Sequence, residues 1–319
     1  MAGKETRERV RSLSEVSLVA TKGFLMGTAD IIPGVSGGTI ALITGIYSRL
    51  LAAIASINIS FLRSLLSLRF RQALHTAHLD FLLPLAAGIF IAILSTSRIL
   101  SFLLQEHRIA ILAFFLGLIS ASVPLVGKWV CPWRIKEVFG FCLGALGTYF
   151  LVGGMPAVTP NVWWFVFLSG MLAICAMILP GISGAFILLL LGKYEYILSL
   201  LHNPFVFSNL VAILIFSLGC VCGLLIFSRI LGYLLDYYSN LTMSILTGVL
   251  AGSLRKIWPW KEVLKSKAVG DKVIVLQEKN ILPEIIDIQF VLPCLLFLLG
   301  LALVWMIESG SRRMQNRSG

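Results

Sequence analysis

A hydroxyl set between glycines, at a point where a helix must break, occurs twice in this chain. Pro33-Gly34-Val35-Ser36-Gly37 returns as Pro180-Gly181-Ile182-Ser183-Gly184, both inside apolar sequence. Proline and glycine end helices, so the residues after each phrase start a new one. The first amides of a helix lack internal partners and carry partial positive charge. Ser36, Gly37 and Gly38 surround one such start, and Ser183, Gly184 and Ala185 the other. Two helix starts of this kind can hold one anionic group such as a phosphate. A structural kink is the competing reading, and duplication of the chain would duplicate a kink as well.

Charged residues inside apolar tracts are the next candidates, because a charge in hydrocarbon is costly. Arg98 and Arg229 sit in the shared phrase Ser-Arg-Ile-Leu, each with about six further residues of its tract to run. That is roughly 9 Å of helix. Each guanidinium can reach the interface by snorkelling, or grip phosphate oxygens with its planar fork. Asp30 is the acid immediately before the first break, where the second half has Met177. It is a candidate proton carrier in a coupled transporter, or a helix cap. Glu195, after Gly192-Lys193-Tyr194, is a second candidate for ion coupling, or a partner for Lys193 or another nearby base.

The elements that must position these residues are apolar tracts of about membrane-spanning length, which takes roughly 20 residues. Five lie in the first half, near residues 13–32, 36–57, 81–104, 109–126 and 138–153. Five follow, near 162–179, 183–201, 210–235, 241–254 and 290–307. The halves match beyond the Pro-Gly phrase. Gly23, Ala29, Gly45 and Tyr47 correspond to Gly170, Ala176, Gly192 and Tyr194 at an offset of 147 (180 − 33). Gly88, Leu94 and Ser97 to Leu100 correspond to Gly219, Leu225 and Ser228 to Leu231 at an offset of 131 (229 − 98). Gly117, Leu118 and Ser122 pair with Gly248, Val249 and Ser253 at that same offset. The difference of 16 residues (147 − 131) falls between Tyr47 and Gly88, around the basic loop of Arg63, Arg69 and Arg71.

One domain of two repeats, residues 13–153 and 162–307, follows from this. Each repeat holds five tracts if all cross, or three crossings if the first two tracts form a re-entrant hairpin. Both counts are odd, so the second repeat is expected to enter the membrane inverted. The pairs Gly23/Gly27, Gly219/Gly223 and Gly248/Gly252 have the spacing of close helix packing.

Composition agrees with this class. The chain of 319 residues is 58% hydrophobic and 13% charged, with a mean hydropathy of +0.94. That excludes an ordinary soluble domain and points to an all-α integral membrane bundle, since a barrel would show short alternating segments. The net charge of +11 sits in loops and tails. Most basic loops agree with a cytoplasmic N-terminus, but residues 255–279 then lie outside with seven basic residues. The apolar stretch after the basic N-terminal tail has no small-residue cleavage site, so the tail is read as retained. No basic stripe interleaved with aromatics suggests nucleic acid. Six cysteines without C-x-x-C and four histidines without ligand spacing suggest neither a metal nor a cofactor. A nucleophile with a general acid is missing as well, so a transporter is expected and not an enzyme.

Gly27-Thr-Ala-Asp-Ile-Ile-Pro-Gly-Val-Ser-Gly-Gly-Thr39 and Leu179-Pro-Gly-Ile-Ser-Gly-Ala-Phe186 resemble the signature phrases of the bacterial polyprenyl-phosphate translocases known as PopT. The resemblance covers nearly the whole chain, both Ser-Arg phrases included. It implies transport of undecaprenyl phosphate across the cytoplasmic membrane, coupled to a proton or another ion. The departure is Ala185, where the first phrase has Gly38. The residues alone admit a second reading, an ion-coupled transporter of a small anion with the same architecture.

Overall fold

Helices start and stop at duplicated positions. The computed structural model describes residues 13–32, 35–57, 67, 78–157, 159–203, 205–269, 272–282 and 288–315. Pro33, Gly34 and most of the 58–77 loop, with its three arginines, lie outside the described residues. The first half runs α1 (Leu13–Asp30), α2 (Gly37–Ile43), α3 (Tyr47–Ala55), α4 (Leu79–Glu106), α5 (Arg108–Gly127) and α6 (Ile135–Val152). The second runs α7 (Trp163–Ile178), α8 (Gly184–Leu190), α9 (Tyr194–His202), α10 (Phe207–Tyr237) and α11 (Ser239–Ile257). Strands β1 (Lys261–Val269) and β2 (Lys272–Asn280) and helix α12 (Ile288–Gln315) follow. Both bounds of α2 and α3 recur in α8 and α9 at the offset of 147 (184 − 37, 202 − 55). The turn from α4 into α5 recurs from α10 into α11 at 131 (237 − 106, 239 − 108). The repeat is therefore one of structure and not only of phrases.

α4, α5, α6 and α10 are each long and apolar enough to cross a bilayer. The tract expected at 36–57 is two short helices, α2 and α3, bent by 118° at their junction. The tract at 183–201 divides the same way into α8 and α9. One motif ends both α2 and α8. At the end of α2, Ile46 N donates to Ala41 O and Gly45 N to Leu42 O. At the end of α8, Lys193 N donates to Leu188 O and Gly192 N to Leu189 O. This is a Schellman ending, and it needs a residue in the left-handed region. Gly45 (φ 74°) and Gly192 (φ 62°) supply it. A Cβ at Gly45 would meet nothing, whereas one at Gly192 would overlap Ala157 O. Gly45→Ala is therefore expected to cost about 1 kcal/mol, and Gly192→Ala several-fold more loss of folded protein. Thermal unfolding of the two variants in detergent checks the order.

The chain divides into two compact units, Met1–Ser97 with Ala157–Thr242, and Arg98–Pro156 with Met243–Gly319. In the first unit glycines carry the long helices together. A Cβ at Gly23 would overlap Leu85 O, and one at Gly88 would overlap Ala20 O. The repeat partners do the same, Gly170 against Phe216 O and Gly219 against Phe167 O. In the second unit Gly144 and Gly248 let α6 and α11 touch backbone to backbone, and Gly117 and Gly300 do so for α5 and α12. Small residues are the means by which helices approach closely in lipid, where burial of apolar surface no longer drives them together.

The segment read as a basic loop is an antiparallel hairpin, β1 with β2, in a register running from Lys261↔Asn280 to Val269↔Lys272. Its many lysines obscured a pattern that was there. Gly270-Asp271 separates Lys265-Ser-Lys-Ala-Val269 from Lys272-Val-Ile-Val-Leu276, two runs of strand type.

Candidate functional site

The residues that follow the first Pro-Gly phrase meet the end of α7 and Gly181 inside the first unit. Ser36 has extended backbone (φ −129°, ψ 138°) and caps α2, its Oγ accepting from Gly38 N at 3.1 Å. The same hydroxyl donates to Met177 O at 3.0 Å. Asp30, the last residue of α1, accepts from Gly37 N at 2.7 Å. Thr39 N donates to Ser36 O. The amides at the start of α2 are thus taken up by the chain itself. Every residue of α2 is buried.

The second break is held by the first. α7 ends at Ile178, and Leu179 turns to extended backbone. Gly181 follows in the left-handed region at φ 87°. Its N–H donates to Thr39 Oγ1 at 2.8 Å. Tyr47 OH donates to Ile178 O at 3.1 Å. Ser36, Thr39 and Tyr47, all from one hairpin, therefore satisfy two carbonyls and one amide freed where α7 stops. Inside a membrane each of these groups would otherwise cost several kcal/mol.

This bracing runs one way. Ser183 sits at the start of α8 with no side-chain cap bond, and it is half-buried. Met177 stands where Asp30 stands in the first repeat and offers Gly184 N no carboxylate. The start of α8 is thus less committed than that of α2. The exchange of Gly38 for Ala185 has a plain cause. A Cβ on Gly38 would come 2.6 Å from Ile178 O and 3.2 Å from Met177 O, whereas Ala185 is exposed. Gly184 must stay small, since a Cβ there would lie 2.7 Å from Ala173 O.

Arg229 is exposed on α10, and its Nη2 donates to Ile57 O at 3.1 Å, just past the end of α3. Arg98 is exposed on α4. Glu195 lies half-buried in the first turn of α9. Its neighbour Lys193 is fully buried and gives its ammonium to Thr159 O at 2.9 Å and Asn161 Oδ1 at 2.6 Å. Lys22 does the like in the first repeat, donating from α1 to Thr44 O at the α2 bend at 2.8 Å. Among the described residues no three His, Cys, Asp or Glu side chains are grouped to hold a metal.

Sequence reasoning passed over Thr39 and Tyr47. Tyr47 carried a signal, its match to Tyr194. Thr39 had none, because its counterpart is Phe186.

Broken helices meeting inside a duplicated bundle of apolar helices define a multi-pass membrane protein of the repeat-transporter class. Within that class the chain belongs to the undecaprenyl phosphate translocase-like (VCA0040-like) family, whose profile matches residues 26–272. It is 40% identical over 295 residues to the polyprenyl-phosphate transporter of Vibrio cholerae serotype O1, covering 90% of this chain and 94% of the relative. It is 32% identical over 252 residues to the polyprenyl-phosphate transporter of Staphylococcus aureus, covering 75% and 84%. No solved structure matches it.

Proposed function

We propose that this protein moves undecaprenyl phosphate across the bacterial cytoplasmic membrane, with the N-terminus on the cytoplasmic side. The observation that carries the reading is the junction of the two Pro-Gly phrases, seen against relatives named for polyprenyl-phosphate transport. A phosphate cannot enter hydrocarbon bare, so the head group needs a polar route through protein while the prenyl tail stays in lipid. Ser183 and Gly184, at the less committed helix start, are the donors proposed to receive it. Ser36, Gly37 and Gly38 belong to the same site as its support. Arg98 and Arg229 are the cations proposed to accompany the phosphate, each from its own long helix. The repeats are proposed to be inverted, the relation that would let one site face either side in turn. Asp30 and Glu195 are proposed to couple the movement to protons.

Lysine keeps the charge of arginine but not the fork that matches two phosphate oxygens. Arg98→Lys and Arg229→Lys are each expected to lower transport about tenfold with insertion unchanged, the loss of one charge-assisted hydrogen bond. Translocation of polyprenyl phosphate into proteoliposomes measures this. Wild-type rates in both variants would remove the arginines from the route.

A further inference from the structure

The side chain of Lys193 is completely covered, in the turn between α8 and α9. Its ammonium donates to Thr159 O at 2.9 Å and Asn161 Oδ1 at 2.6 Å, both in the segment that precedes α7. The ring of Phe165 on α7 lies 5.3 Å from it, and that of Tyr196 on α9 lies 5.7 Å away. All of these groups belong to the first unit. Both hydrogen-bond acceptors are neutral. Among the described residues no carboxylate forms an ion pair with Lys193. A covered ammonium ordinarily has a counter-ion, because desolvation is costly.

The first repeat shows that the turn does not need this charge. Ile46 stands at the matched position (193 − 147 = 46). It is buried as well, and its N–H donates to Ala41 O as that of Lys193 donates to Leu188 O. An apolar side chain thus closes the same backbone motif. The cap carbonyl does not need the ammonium either. In the first repeat Lys22 Nζ donates to Thr44 O, but the matched carbonyl, Leu191 O, accepts from the hydroxyl of Thr159. Asn161 is exposed, so water can serve its amide in place of Lys193. A buried charge kept where the fold does without one marks a functional site in a membrane protein.

The cage suits both forms of the side chain. A neutral amine has two N–H donors, and two acceptors face it. An ammonium has a third, which the faces of Phe165 and Tyr196 attract. Gain or loss of a proton therefore breaks no hydrogen bond. Of the titratable groups on the elements packed around it, Tyr196 presents its ring to the nitrogen. Cys175 of α7 and Cys220 of α10 turn to Gly223 O and Gly170 O, and Arg229 of α10 turns to Ile57 O. Asp236 of α10 is exposed, and Glu195 is half-buried one turn into α9. The segment before α7 brings no titratable side chain. Exposed Trp163 and Trp164 put this end of the hairpin at the level of lipid headgroups, where such rings collect. Water is thus one side chain away, beyond Asn161.

We propose that Lys193 is a proton-exchange site. Its ammonium releases a proton to water on the Asn161 side, and its amine takes one back, while Thr159 and Asn161 hold the nitrogen in both forms. As a residue that couples protons to lipid movement, it rests on the function proposed above. The exchange itself does not.

The test uses the full chain. Arginine stays charged and methionine stays neutral, so Lys193→Arg and Lys193→Met lock the two forms at similar length. Each variant is expected to insert, and in each the rate of polyprenyl phosphate transport into proteoliposomes is expected to lose its response to an imposed proton gradient. If the charge were only structural, Lys193→Arg would keep the wild-type response, and that result overturns the proposal. A wild-type response in Lys193→Met overturns it too. Should neither variant fold, the wild type decides. In phosphatidylcholine liposomes the nitrogen NMR signal of Lys193, recognised by its contact with isotope-labelled asparagine, is expected to pass reversibly from ammonium to amine at a pH where exposed lysines such as Lys136 remain charged, since burial disfavours the charge. A signal that stays ammonium until the exposed lysines titrate makes Lys193 a structural cation and overturns the proposal. A Lys193 that titrates early in a protein that moves no polyprenyl phosphate would sink the transport reading and keep the site. Gradient-driven lipid transport by a protein whose Lys193 does not titrate early would do the reverse.

Discussion

Gly38→Ala is expected to remove most of the folded protein. The added Cβ would come 2.6 Å from Ile178 O and 3.2 Å from Ser36 Oγ. The first is backbone at the end of α7, and the second is fixed between Gly38 N and Met177 O. Neither can swing aside as the tip of a flexible side chain would. Relief requires α2 to part from α7, and that breaks the bonds from Ser36 to Met177, from Gly181 to Thr39 and from Tyr47 to Ile178 together. Overpacking alone costs about 1–3 kcal/mol. Each buried group left without its partner adds about 1–3 kcal/mol. That sum is comparable to the whole stability of many proteins. Ala185→Gly, the same exchange at the matched position, is expected to cost about 1 kcal/mol at most, because Ala185 is exposed. The amount of monodisperse protein recovered from membranes measures both. A Gly38→Ala variant recovered at wild-type yield would show that the two phrases do not meet as described.

Asp30 carries the second large effect, and two substitutions divide its roles. Its carboxylate accepts from Gly37 N at 2.7 Å in a packed setting, where a Cβ on Gly37 would lie 2.6 Å from Oδ2. Asp30→Ala strands that amide, and losing a cap of this kind costs about 0.5–2 kcal/mol. Asp30→Asn keeps an acceptor oxygen of nearly the same shape but cannot bind and release a proton. The alanine variant is therefore expected to be unstable. The asparagine variant is expected to insert and fold, while its transport rate stops responding to pH or to an imposed proton gradient. Rates measured against pH in proteoliposomes distinguish the two parts. Full activity with the wild-type pH profile in Asp30→Asn would reduce Asp30 to a cap.

Much of this was legible in the residues because duplication leaves constant offsets. Tyr47 and Tyr194, Gly45 and Gly192, and the two Ser-Arg phrases mark the repeat, and the bounds of α2 and α3 and the turn from α4 into α5 recur at the same spacings. The bend within 36–57 was harder to see. Nothing in the apolar run Ile40 to Ile43 distinguishes a straight span from a short helix, and Gly45 alone makes the difference through its left-handed backbone. The one-way bracing could not be read at all. It depends on Thr39 facing Gly181, a contact across 142 positions of sequence, from a residue whose counterpart Phe186 has no hydroxyl. The hairpin is hard to see because its lysines dilute the strand pattern on either side of Gly270-Asp271.

The central claim is that the protein carries a lipid phosphate across the membrane. The direct measurement is the amount of undecaprenyl phosphate reachable from outside intact cells by a membrane-impermeant reagent, with and without this protein. Cells lacking it are expected to hold more of the lipid on the outer face, and restoring the wild type, but not a folded Arg229→Lys variant, is expected to return the distribution to normal. An outer-face level that is the same in both cells, with total lipid unchanged, would contradict it.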